Sequence, residues 1–227
     1  MSGGWIELEA SDGHRFQAWH VAPEGERRAT LVIAMEIFGV NGHIRAVAEG
    51  FAEAGFEVLA PQLYDRAERG IDLPYDAEGI ARGRELAMKI GMDGPMLDVA
   101  ACVAHLRRDD TEKKPVGIVG YCYGGAVAWA AADRVAGLGC AVGYYGTAIL
   151  QFMGAEPKCP TMLHFGAKDA SIPLDKVEQL AGRHPEVAIH VYDADHGFNS
   201  DRRANYDEAA ASLARERTLD FLFAHLT

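Results

Sequence analysis

Residues 115–129 read PVGIVGYCYGGAVAW. The stretch opens as a short unbroken apolar run, the pattern of a buried strand, turns through glycines, and continues as an apolar helix pattern. At its centre, Gly120-Tyr-Cys122-Tyr-Gly124 is the G-x-S-x-G nucleophile elbow with cysteine in place of serine. Glycines two residues either side of the nucleophile are a steric requirement, because a sharp strand-to-helix turn leaves no room there for a Cβ. Cys122 would then stand at the positive end of a helix, where a thiolate is favoured. Five residues alone are a weak signal; the strand before them and the helix after them make it a strong one.

Outward from the elbow, short apolar runs bounded by turn residues alternate with helical patterns, the sign of a mostly parallel sheet covered on both faces. Strands are expected near residues 5–8, 15–21, 30–35, 57–60, 116–119, 140–144, 161–166 and 188–192. The first two flank Asp12-Gly13 and should form an antiparallel hairpin at one edge. Ile44, Val47, Ala48 and Phe51 step at helical spacing before Gly55, and Met96, Val99, Val103 and Leu106 repeat the pattern. Tyr206, Ala210, Leu213, Leu219, Leu222 and Phe223 mark a long closing amphipathic helix. Residues 64–95, with two prolines, five glycines and no clean strand, read as an irregular cover over a site. No repeat or linker interrupts the 227 residues, so one domain is expected.

A nucleophile needs a base and a group that orients it. In α/β-hydrolases these follow in the order nucleophile, acid, histidine, each on a loop after a later strand. The strand TMLHFG (161–166) is followed by AKDASIP, and AIHVY (188–192) by DADHGF, which supplies Asp169 and His196 in that order. Asp169 could otherwise be a turn or capping residue, and Asp193 and Asp195 read as loop charges. Of nine histidines, His164 and His190 lie within strands, while His14, His20, His105, His184 and His225 fall on edges or helix surfaces. His43, beside Asn41, begins a helix, which leaves His196 alone with the strand-end position and the chain order. Cys102, Cys140 and Cys159 read as buried core thiols.

Composition works by exclusion. With 49% apolar and 24% charged residues and no apolar run of the roughly 20 residues a bilayer span needs, the chain reads as a soluble globular protein without a membrane partner. Its net charge of −11 argues against nucleic acid. No CxxC pair or Cys/His run has zinc-ligand spacing, so neither a metal nor a disulfide scaffold is expected. No basic segment followed by an apolar stretch opens the chain, and a reducing cytoplasm is the simplest location. Sixteen of the 22 basic residues are arginine, the side chain that grips a carboxylate with two hydrogen bonds.

Nearly end to end, the sequence resembles the dienelactone hydrolase family, a cysteine-nucleophile branch of the α/β-hydrolases. The resemblance rests on DGH (12–14), AMEIFGVN (34–41), PQLY (61–64), residues 117–125, VGYYG (142–146), the Asp169 and His196 loops, and ERTLDF (216–221). It implies an α/β-hydrolase fold, with Cys122 as nucleophile, His196 as base, Asp169 as its orienting acid, and Glu36 as a regulator that holds the neutral thiol until substrate displaces it. Backbone N–H groups of Ile37 and Tyr123 would form the oxyanion hole. Independently of the family, Glu36 ends the apolar run LVIAM (31–35), where a carboxylate is costly to bury unless paired or protonated. No cofactor is implied, and the partner is a small ester or lactone substrate; the sequence leaves the oligomeric state open, and a monomer is compatible with it.

Phe38, Tyr64, Tyr145 and Ser200 fall at the family's substrate site. Two family arginines that hold a substrate carboxylate fall here at Ser200 and near Ile80, with Arg82, Arg84, Arg202 and Arg203 close enough to substitute. A general esterase or thioesterase acting on an uncharged acyl group is therefore the alternative enzyme. From other classes, the chain could be a binding protein that kept the fold, or a redox protein using Cys122, although no resolving cysteine lies nearby in sequence.

Overall fold

The structure is a computed structural model that describes residues 3–108 and 114–227. Among these residues eight strands form one sheet: β1 (Gly4–Glu9), β2 (Arg15–Val21), β3 (Ala29–Ala34), β4 (Phe56–Pro61), β5 (Val116–Tyr121), β6 (Leu138–Tyr144), β7 (Thr161–Gly166) and β8 (Ala188–Tyr192). Their spatial order is β1-β2-β4-β3-β5-β6-β7-β8. β2 runs antiparallel to both β1 and β4, and every other neighbouring pair is parallel. The apolar runs of β3, β4, β5 and β7 are buried at every position, as strands covered on both faces must be. Glu57 of β4 is the charged exception, and its carboxylate is satisfied by His20 Nε2 at 2.9 Å and Arg27 at 2.7 Å.

Among the described residues six α-helices cover the sheet: α1 (Gly42–Glu53), α2 (Ala77–Ile90), α3 (Asp93–Leu106), α4 (Tyr123–Arg134), α5 (Leu174–Arg183) and α6 (Glu208–Leu226). Two glycines of β5 show the layering. A Cβ on Gly117 would meet Leu222 and Leu226 of α6, whereas one on Gly120, which points to the opposite side, would meet the Gly124 carbonyl of α4 at 1.8 Å. Helices thus lie on both faces, and both approach the sheet closely. On α1, Ile44, Ala48 and Phe51 are buried at the expected spacing.

Three expectations need correction. The segment 64–95 is not irregular throughout, since α2 occupies much of it, started by Asp76, whose side chain accepts from Gly79 N at 2.8 Å. On α6 the buried residues are Ala210, Ala211, Ala214, Thr218, Leu222 and Leu226, while Leu213 is exposed and Tyr206 lies exposed ahead of the helix. Small residues face the sheet there because α6 lies so close to it. Cys102 and Cys140 are buried as expected, but Cys159 is only half-buried, in the loop before β7.

Topology places the site. From β3 the chain steps to β4 on one side, and β5 enters on the other, so β3 and β5 are adjacent parallel strands with Ala34 opposite Gly120. A crevice opens at the carboxyl ends of strands where the winding reverses. The residues two beyond these paired positions are Glu36 and Cys122, and both emerge at that point.

Candidate active site

Cys122 sits between β5 and α4 at φ +54°, ψ −114°. A non-glycine residue there is strained by about 1–3 kcal/mol, and the turn holds because Cys122 N donates to Tyr144 O at 3.0 Å and Gly125 N donates to Cys122 O at 3.0 Å. Tyr145, after β6, has φ +37°; these two are the non-glycine residues with positive φ among the described residues, and they stand at the ends of neighbouring strands.

The loops after β7 and β8 bring the remaining partners. Asp169, buried, accepts from Ser171 N at 2.8 Å through Oδ1, and its Oδ2 lies 2.7 Å from His196 Nδ1. His196 Nε2 lies 3.3 Å from Cys122 Sγ. Asp195 fixes the loop by accepting from the His196 backbone N–H at 2.6 Å, and Asp193 pairs on the surface with Lys168. Burial works against the imidazolium, yet the hydrogen bonds to Asp169 and Cys122 outweigh it and push the pKa of His196 up to about 10. The three side chains picked out by elbow and chain order thus form one hydrogen-bonded line.

Glu36 is fully buried, and its partners come from far along the chain. Tyr75 donates its hydroxyl to Oε2 at 2.8 Å, and Arg203 reaches Oε1 at 3.5 Å. The thiol, which the family mechanism rests on this carboxylate, instead faces His196, while Tyr75 and Arg203 occupy the carboxylate oxygens.

Phe38 is buried beneath this network, 4.3 Å from the Tyr75 ring and 5.8 Å from the Arg203 guanidinium. The Tyr145 ring lies 5.1 Å from that of His196, and its buried hydroxyl has no hydrogen-bond partner among the described residues. Its ionisation is suppressed by burial, then by the nearby charge of Glu36. Ser200 is fully buried; its Oγ makes no hydrogen bond of good geometry and faces the Tyr75 hydroxyl.

Other expected substrate residues lie elsewhere. Tyr64 is wholly buried, with its hydroxyl shared between the carbonyls of Ile37 at 3.2 Å and Gly83 at 3.0 Å, so it braces the loop after β3 instead of facing a ligand. Arg82 is held by Glu68 and Glu85 on the outer surface, and Arg84 and Arg202 are exposed. Each is drawn outward by solvent or by surface carboxylates. Arg203 alone of the four turns in, its guanidinium packed against Gly197 and Glu36. Among histidines, His184 is buried instead of lying on the surface, 2.8 Å from Met153 O through Nε2, and His43 is buried beside the Asn41 cap of α1.

Tyr75 was not among the expected residues. It sits in a loop without periodicity, and the one local signal near it is the helix start at Asp76.

No helix among the described residues is long and apolar enough to cross a membrane, and no group of three or more His, Cys, Asp or Glu there is arranged to hold a metal ion.

Comparison with known proteins places the chain in a family. The chain is 33% identical over 224 residues to the carboxymethylenebutenolidase of Pseudomonas putida, covering 96% of this chain and 94% of that one. It is 32% identical to carboxymethylenebutenolidase 1 of Cupriavidus pinatubonensis, covering 98% and 97%. Among solved structures, that of a candidate dienelactone hydrolase from Klebsiella pneumoniae superposes with a TM-score of 0.84 at 28% identity over 99% of both chains. The description of the dienelactone hydrolase family fits residues 16–226, and the chain belongs to that family.

Proposed function

We propose that this protein hydrolyses small carboxylic esters, most specifically a lactone of the dienelactone type, by thiol catalysis through an acyl-enzyme. The observation that carries the reading is the line Cys122–His196–Asp169, at 3.3 and 2.7 Å, beside a buried carboxylate at the neighbouring strand end. The names of the curated relatives support the lactone.

In this reading the Cys122 thiolate, paired with protonated His196, attacks the carbonyl carbon. Negative charge develops on the carbonyl oxygen, to which the N–H groups of Tyr123 and Ile37 donate. Tyr123 opens α4, where the first N–H groups lack partners within the helix. Collapse breaks the C–O bond, and the leaving oxygen takes the proton of His196. His196 then removes a proton from water, which attacks the thioester, and the acid leaves with the thiolate restored. Asp169 keeps Nδ1 protonated so that Nε2 performs both transfers. Glu36 lies close enough to Arg203 that a substrate carboxylate would compete with it for that guanidinium.

A second reading, an uncharged acyl substrate, is favoured by Ser200 and by the outward placement of Arg82, Arg84 and Arg202, which leave Arg203 as the inward cation of the four. Steady-state assays with an anionic dienelactone and with p-nitrophenyl acetate separate the two. Turnover of both, with Arg203→Met raising KM more for the lactone, supports the first; ester turnover without lactone turnover supports the second. Cys122→Ala should abolish both with an unchanged melting temperature, and residual wild-type activity would overturn the mechanism.

A further inference from the structure

We propose that Tyr75 is a positioning residue: its hydroxyl keeps the Glu36 carboxylate turned toward Arg203 and away from Cys122, so that His196 alone partners the thiol. The inference rests on Cys122 being the nucleophile, and it makes the loop between residues 71 and 76 part of the site.

Glu36 and Cys122 leave adjacent strands at the same level, so a rotation of the glutamate side chain is the direct route by which the carboxylate could meet the sulfur. A carboxylate facing a thiolate disfavours the thiolate, because like charges in a partly desolvated site repel. Two donors oppose that rotation. The Arg203 contact is long, at 3.5 Å, whereas the Tyr75 bond, at 2.8 Å, has the usual length of a well-formed O–H···O hydrogen bond. Burial and the Glu36 charge push the ionisation of the Tyr75 hydroxyl well above its ordinary range, so it remains a donor throughout the working pH range. Asn41 and Ser200 face the same hydroxyl from the cap of α1 and the loop after His196.

The loop is well placed to hold this geometry. Leu73 N donates to Phe38 O at 2.9 Å, and Ile71 O lies so close to Gly39 that a Cβ there would stand 2.4 Å away. The Tyr75 ring packs on Phe38 at 4.3 Å. Phenylalanine at position 75 would keep that packing and remove only the donor.

The test is the alkylation of Cys122 by iodoacetamide at neutral pH, with the labelled cysteine identified by mass spectrometry, which needs no substrate and is independent of which ester is hydrolysed. Tyr75→Phe is expected to slow labelling about tenfold, the effect of a lost hydrogen bond to a charged group. In a Glu36→Gln background the same substitution should leave the rate unchanged, since no anion remains to be misplaced. An unchanged or faster rate in the single variant, or an equal fall in both backgrounds, would overturn the proposal. If iodoacetamide failed to label Cys122 in the unaltered chain, the nucleophile assignment itself would fall, and this inference with it.

Discussion

Replacing Gly124 by alanine should cost the protein most of its turnover while leaving every proposed catalytic side chain in place. A Cβ at this position would stand 2.1 Å from the Ala34 carbonyl oxygen and 2.6 Å from that of Met35, backbone atoms that no side-chain rotation can move aside. Opening the first contact from 2.1 Å even to 3.0 Å, the least separation a real Cβ tolerates, forces a shift of about 0.9 Å between the start of α4 and the end of β3. The two proposed oxyanion donors, the N–H groups of Tyr123 and Ile37, lie on opposite sides of that contact. A displacement of about 1 Å in a catalytic arrangement lowers turnover by about 10²-fold, and loss of one oxyanion donor costs about 10²–10³-fold. Overpacking should also lower stability by about 1–3 kcal/mol. Urea unfolding gives the stability change, and kcat/KM on p-nitrophenyl acetate, measured well below the unfolding transition, gives the functional loss. The expected pattern is a folded protein with kcat reduced more than KM is raised. Unchanged kcat/KM would refute the claim that the Gly124–Ala34 contact sets the oxyanion geometry.

Two further substitutions test the scaffold. Glu57 is held to a pKa of about 2 by the hydrogen bond from His20 first and then by that from Arg27, so its charge contributes stability that is complete above the ordinary 4.5 and is lost as pH falls from there towards 2. Glu57→Gln should remove up to about 3 kcal/mol at pH 7 and flatten the decline of stability over that acid range, followed by urea unfolding at stepped pH; an equally steep decline in the variant would show that Glu57 is not its source. Gly182, exposed on α5 with nothing within 4 Å of a built Cβ, offers the opposite case to Gly124: Gly182→Ala should raise stability by about 0.5–1 kcal/mol, and a loss would contradict the reading of that helix face as open.

Much of this architecture is legible in the sequence. The largely apolar runs of β3, β4, β5 and β7 announce strands buried on both faces, and the Asp-Gly turn announces the hairpin. α2 was not legible, because AEGIARGRELAMKI carries two glycines and only Gly79, Gly83 and Leu86 are buried. Gly83 has to be glycine for a reason no helical pattern displays: a Cβ there would stand 2.1 Å from the Ile37 carbonyl oxygen. The stripe assigned to α6 was wrong at Tyr206 and Leu213, since close packing selected alanines for the inner face in place of the larger apolar residues.

The same division runs through the site. Sequence by itself determined the elbow around Cys122, the order in which Asp169 and His196 follow, and the anomaly of Glu36 at the end of an apolar strand, because each depends on short-range sterics or on the alternation of strand and loop. Tertiary structure alone decided which groups meet Glu36. Tyr75 is 39 residues away and Arg203 is 167 residues away, so their contacts exist only because separate loops converge where the winding of the sheet reverses. Arg202 and Arg203 are indistinguishable as neighbours in sequence. The turn beyond His196, closed by the Arg203 N–H donating to Ser200 O at 3.0 Å, leaves the first in solvent and carries the second to the buried carboxylate.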